Sequence, residues 1–341
     1  MPSVKQLSDA AAAAIPDDLT PLFQNIRVLT AKAHGEGRDS YEDWYFVSDE
    51  IWQHLDRNFE NPGLIPTIES IREIFGGQDD SMLAGHARTL CDIITRAVCE
   101  RLLGNNADVG AAFDGLDAEI RRRDTNISIF SLNHDLLLER FLRSKKLQFY
   151  DCFQNHAETD SFRTFQFSRD VFNEAPLSVI KLHGSVNWRR YRPRNSRAVE
   201  DKWRDEFFGI RLREDRDFEE MDDVPLVLLG TFNKLLQYST PVFLQMFSEL
   251  HHYLQATSDL LVCGYGFGDK GINTLLAYWM SGKEPRRMTV VSPHPFDPDR
   301  CRGAILGKVG IWENEGRLRT LPRKIGRDEA RWAEIFKLVG R

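Results

Sequence analysis

Residues 179–188 read VIKLHGSVNW, and the fold turns on where this apolar run stops. Val179, Ile180, Lys181 and Leu182 have the make-up of a short buried strand. The run ends abruptly on His183 and Gly184. An imidazole beside a glycine puts a titratable ring at a sheet edge, with room next to it for a ligand. On the residues alone, His183 is either a catalytic base or a polar residue at a turn.

Elsewhere in the chain, similar apolar runs alternate with helical patterns. NISIFSLN (126–133), LSVIKLH (177–183), LVLLG (226–230), DLLVCG (259–264) and MTVV (288–291) read as strands. DLLLERFLRSK, TPVFLQMFSELHHYLQ and GINTLLAYWM read as helices, the first opened by Asp135. Continuous apolar strands alternating with helices predict an α/β fold with a parallel sheet covered on both faces.

The N-terminal part differs. Residues 4–33 read as helical with a break at Pro16, and 40–123 as mostly helical. Trp44, Val47, Ile51, Trp52 and Leu55 recur near the 3.6-residue period. Pro62, Gly63 and Pro66 mark a loop. Residues 189–223 carry both charge signs densely and few aliphatics, which predicts a solvated excursion. IGRDEARWAEIFKLV predicts a capping helix at the C-terminus.

Composition excludes several classes. A net charge of −6 over 341 residues gives no broad basic surface for nucleic acid. No apolar run has the length of a membrane span, and no signal peptide is evident. Cys91, Cys99, Cys152, Cys263 and Cys301 form no CxxC pair, which argues against a knuckle-type zinc. Such scattered thiols fit a reducing, cytoplasmic setting. Cys91 and Cys99, two helical turns apart, are expected in a core.

In a doubly wound sheet, ligands bind at the carboxyl edge. Three strand ends here carry unusual residues: SLNHD (131–135), LHGS (182–185) and CGYGFGD (263–269). The last is a glycine-rich loop before a helix, whose free N–H groups suit a phosphate or ribose. Equally, such glycines serve tight packing.

At these residues the chain resembles the sirtuin-like family, in particular its bacterial NAD-hydrolysing, antiphage-defence branch. SLNHDLLLER resembles the strand-Asn-x-Asp-helix element and VIKLHGSVNW the strand that ends in the catalytic His-Gly. LLGTFNK, with Thr231, Asn233 and Lys234, resembles the family's next segment. LLVCGYGFGDKGINTLL and VVSPHP resemble the Gly-Tyr loop and the last strand. The likeness covers 126–295 well and 40–123 in style.

The resemblance implies a single domain over 1–341. Its Rossmann-like core would span 126–295, with a helical insert at 35–125 and a C-terminal cap at 296–341. It implies NAD as substrate, no metal, and release of nicotinamide and ADP-ribose. His183 would be the base and Asn133 the group that holds the ribose hydroxyls and a water. Ser131, Asp135, Gly184, Gly264, Tyr265, Gly266, Asp269, Asn273 and Ser292 would contact NAD. Homo-oligomers or operon-encoded partner proteins are further implications. A binding-only NAD or ADP-ribose module and a protein deacylase are the rival readings.

Two departures qualify the likeness. The CxxC pairs of the deacylating sirtuins are absent. So is the family's opening strand with its Gly-Ala-Gly-x-Ser loop, for which the Gly35–Gly37 stretch is no substitute. MPSVKQLSDAAA resembles the family's chain just past that loop. The expectation is that Met1 is an internal methionine, and that the sheet otherwise lacks its central strand.

Overall fold

The computed structural model describes residues 2–34, 39–57, 61–74, 79–105, 109–194, 206–222, 224–230, 240–282, 286–293, 301–325 and 331–337. The chain divides into two compact units. One comprises Met1–Asn105, His156–Arg163 and His183–Asn233; the other Asn106–Asn155, Thr164–Leu182 and Lys234–Arg341.

The first unit is largely helical. Helices α1 (Val4–Ala13), α2 (Thr20–His34), α3 (Tyr41–Leu55), α4 (Ile65–Ile74) and α5 (Asp80–Leu103) precede the unit's return segments. A capping box starts α1: Gln6 N–H donates to Ser3 Oγ, and Ser3 N–H donates back to Gln6 Oε1. The buried stripe of α3 runs through Tyr41, Trp44, Ser48 and Ile51. Ser48 takes the place expected for the half-buried Val47, because its hydroxyl is satisfied by donating to Trp44 O at 2.8 Å. The Phe23 ring meets Trp44 edge-on at 5.1 Å. Cys91 and Cys99 lie in the core as expected.

The second unit holds the parallel strands. Strand β1 (Ile127–Ser131) pairs in parallel with β4 (Leu177–Lys181), and β9 (Arg287–Ser292) lies between β8 (Asp259–Cys263) and β10 (Leu318–Pro322), also in parallel. Strand residues alternate faces. Ile127, Ile129, Leu177, Val179, Leu261, Val291 and Leu321 share one core with α6 (Val109–Ala112), α7 (Leu116–Arg122), α8 (Leu137–Ser144) and α13 (Trp332–Phe336). On the other face Phe130 meets Phe172 of α9 (Arg169–Glu174) and Tyr253 of α10 (Pro241–Gln255). In chain order α11 (Lys270–Met280) comes between β8 and β9, and α12 (Val309–Asn314) between β9 and β10. Helices therefore cover both faces, and the fold is α/β, Rossmann-like and doubly wound.

Three expectations need correction. The parallel strands form two sheets among the described residues, and β1 and β8 are each paired along one edge. Strand β4 is buried throughout, while β1 stays half-buried along its length. Second, LVLLG is not a parallel strand. The chain turns back after His183–Gly184, so 226–228 meets that turn in an isolated antiparallel bridge, Gly184 to Val227. Third, the charged excursion contains β5 (Arg189–Pro193), β6 (Phe207–Arg211) and β7 (Phe218–Glu220), joined with β2 (Phe153–Asn155) and β3 (Phe162–Phe165) in the order β2-β3-β6-β5-β7. Its charges pair across strands, as in Arg192 of β5 and Glu219 of β7 at 2.5 Å, and the rings of Phe162, Tyr191, Phe207 and Phe218 pack together. Residues 195–205 and 223 of that stretch lie outside the described residues.

The C-terminal helix spans Trp332–Phe336 among the described residues. No described helix is long and apolar enough to cross a membrane.

Candidate functional site

The β1–β4 register sets Ser131 opposite Lys181, so the two strands end side by side. Leu182 N–H donates to Ser131 O at 2.9 Å, which continues the pairing one residue further. The chain leaves β1 through a short loop to α8. Asn133 N–H donates to Ser131 Oγ at 3.2 Å, and Leu137 N–H to Asp135 Oδ1 at 2.8 Å. These are local side-chain-to-backbone turns of the kind Ser and Asp favour. Asp135 is buried, whereas Asn133 is exposed.

Lys181 is the residue that sequence reasoning passes over. Its ammonium is buried, 3.0 Å from Glu139 Oε1, and also donates to Asp135 O. The available signal was a lysine inside an otherwise apolar strand, which requires a buried partner.

His183 and Gly184 follow Leu182 and open the other unit's return segment. His183 is 3% exposed, and its carbonyl accepts from Leu228 N–H at 2.9 Å. Ser185 N–H donates to Leu226 O at 3.2 Å. Gly184 has φ +78, and a Cβ there would lie 2.1 Å from Leu226 O. Glycine is required at this turn by conformation and by space.

The loop after β8 is built around Asn273. Its Nδ2 donates to Phe267 O at 2.8 Å and Arg302 O at 2.7 Å. The Tyr265 hydroxyl lies 2.9 Å from Asn273 Oδ1 and 3.1 Å from Asp269 O and shares its proton between them. Asn273 is fully buried. Asp269 caps α11, its Oδ1 accepting from Ile272 N–H at 2.9 Å. Burial, then the nearby Asp269 charge, pushes the Tyr265 phenol far above its ordinary range, so it remains a neutral donor. Gly264 takes φ +66 and Phe267 φ +53, with the Phe267 ring buried. At Gly264, Gly266 and Gly268 an added Cβ would meet nothing within 4 Å, which leaves their backbone open to close approach by a ligand.

Ser292 ends β9. The residues predicted from sequence thus fall into an Asn133 loop with Ser131 and Asp135, a His183–Gly184 turn, a loop with Gly264, Tyr265, Gly266, Asp269 and Asn273, and the strand end at Ser292. Thr231, Asn233 and Lys234 lie outside the described residues. Among the described residues, no three His, Cys, Asp or Glu side chains gather as metal ligands.

No curated protein matches this chain. A family model described as a SIR2-like domain matches residues 127–316, more than half of its length. That span starts at β1 and includes the Asn133 loop, the His183 turn and the Gly264 loop. The chain belongs to the SIR2-like family, whose domains in general have NAD-related activity.

Proposed function

We propose that the protein is an NAD glycohydrolase that releases nicotinamide and ADP-ribose. The observation that carries this reading is the pair of parallel strand ends, with Asn133 two residues beyond Ser131 and His183 two beyond Lys181. Parallel sheets bind ligands at their carboxyl ends.

Breaking the nicotinamide–ribose bond develops positive charge at the ribose carbon, and nicotinamide leaves as a neutral group. The exposed carboxamide of Asn133 orients the ribose hydroxyls and a water without adding charge. His183 takes the proton from a ribose hydroxyl or from that water. Asp135, Ser131 and Gly184 shape the two strand ends. The backbone at Gly264 and Gly266 contacts the phosphate or ribose region, and Ser292 borders the adenosine. Asn273, Asp269 and Tyr265 hold that loop in shape. The resemblance further assigns the activity to antiviral defence, in which NAD depletion stops the infected cell.

The experiment is nicotinamide release from NAD by the wild type beside His183→Ala and Asn133→Ala. Release that both substitutions abolish supports the hydrolase. ADP-ribose binding without release supports a second reading, a binding-only regulatory module. The burial of His183 favours that reading, because a base must reach its substrate. Release dependent on an acyl-lysine peptide would instead indicate a deacylase.

A further inference from the structure

We infer that Lys181 is a positioning residue for the Asn133 loop. The inference rests on the hydrolase reading and deepens it. Lys181 is 5% exposed and has two partners: Glu139 Oε1, in the first turn of α8, at 3.0 Å, and the carbonyl of Asp135 in the β1–α8 loop. Glu139 is itself buried. A buried ion pair is a poor source of stability, because desolvation of both charges offsets their attraction. Apolar side chains of similar volume would hold β4 against α8 as well. What they would not supply is a donor to Asp135 O.

That donor acts at a specific place. The loop between Ser131 and Leu137 is fixed on its first side by Asn133 N–H to Ser131 Oγ. On its far side it is fixed by Leu137 N–H to Asp135 Oδ1 and by Lys181 to Asp135 O. Asn133 lies between these anchors with its side chain exposed. The Leu137 bond is local to the loop, whereas Lys181 ties it to β4. Two residues further along the same chain segment comes His183. Lys181 therefore links the register of β4 to the position of Asn133, and a displacement of about 1 Å in such a group costs about 100-fold in rate.

The test separates this role from stability. Lys181→Met alone strands a buried carboxylate and can unfold the protein. The informative variant is Lys181→Met with Glu139→Leu, which removes both charges. Glu139→Gln is the control: it keeps the Lys181 donor to Asp135 O and an amide oxygen for the ammonium, but it leaves that charge without a counter-ion, so its kcat is read only after circular dichroism shows it folded. We expect the double variant to melt near the wild type and to show faster amide exchange across 132–137. Its kcat for nicotinamide release should fall about 100-fold with KM for NAD little changed. Glu139→Gln should keep wild-type kcat. Wild-type exchange and kcat in a folded double variant would overturn the proposal. If the wild type itself releases no nicotinamide, the hydrolase reading fails, while the exchange experiment still decides whether Lys181 holds the loop.

Discussion

A Cβ placed on Gly184 would stand 2.1 Å from the carbonyl oxygen of Leu226. The carbonyl is backbone, and the same turn binds it through Ser185 N–H and the neighbouring chain segment through Leu228 N–H to His183 O. It cannot yield as a flexible side chain would. The close approach thus fixes where His183 ends up.

Gly184→Ala should accordingly destabilise the protein. The left-handed backbone alone costs about 1–2 kcal/mol for an L side chain, and the overlap with Leu226 O adds to that. Differential scanning calorimetry would show a lower Tm. Nicotinamide release should fall with it, since the 183–185 turn must move. A variant with wild-type Tm would contradict the tightness of this turn.

Asn273→Ala should act on the loop from within. The carboxamide makes three hydrogen bonds, to Phe267 O, Arg302 O and the Tyr265 hydroxyl. Each contributes about 1 kcal/mol net, and more where the partner is left buried and unmet. The expected outcome is a loss of stability together with weaker ADP-ribose binding, measured by calorimetric titration. Tyr265→Phe removes one of the three bonds and should cost less than Asn273→Ala. The reverse order would show that the phenol, and not the amide, organises the loop.

Much of this was legible in the sequence. Apolar runs located β1, β4, β8 and β9, because parallel strands covered on both faces need no polar alternation. The glycines of 263–269 marked their loop because glycine clusters at strand-to-helix turns, although only Gly264 of the three takes a positive φ. LVLLG misled for the same reason that the strands were found: an apolar run reports burial, and 226–228 is brought against the His183 turn without joining a sheet. The β5–β7 segment was hidden because its strands carry their own compensating charges, such as Arg192–Glu219. Lys181 was hidden because its partner Glu139 lies far away in sequence, and their pairing follows from how α8 packs on β4.

Asp269→Ala tests the start of α11 by itself. The substitution removes the acceptor for Ile272 N–H. Loss of such a cap costs about 1 kcal/mol. Asp269→Asn keeps an acceptor at the same atom and should recover most of that stability in a urea titration. If Asn fails to rescue, the charge of Asp269 is needed beyond capping.

The pH dependence of stability should be alkaline. Burial pushes the Cys99 thiol up from its ordinary value of 9.0 to about 12. Burial likewise moves the Tyr150 phenol up to about 12. A group with a raised folded pKa keeps its proton in the native state after the unfolded chain has lost it. Its contribution is complete below the unfolded value and disappears as pH rises toward the folded one. For Cys99 the window opens at 9.0 and closes near 12. The buried thiols of Cys91 and Cys152 are shifted the same way by desolvation and steepen the fall. Urea unfolding measured at rising pH should show constant stability around neutrality and a progressive loss once the pH passes 9.0. Cys99→Ala removes one titrating group, so its stability should fall less steeply across that window, even if the lost side chain lowers it at every pH. An unchanged slope in Cys99→Ala would mean that this thiol ionises without penalty in the folded protein, and its place in the helical core would have to be revised.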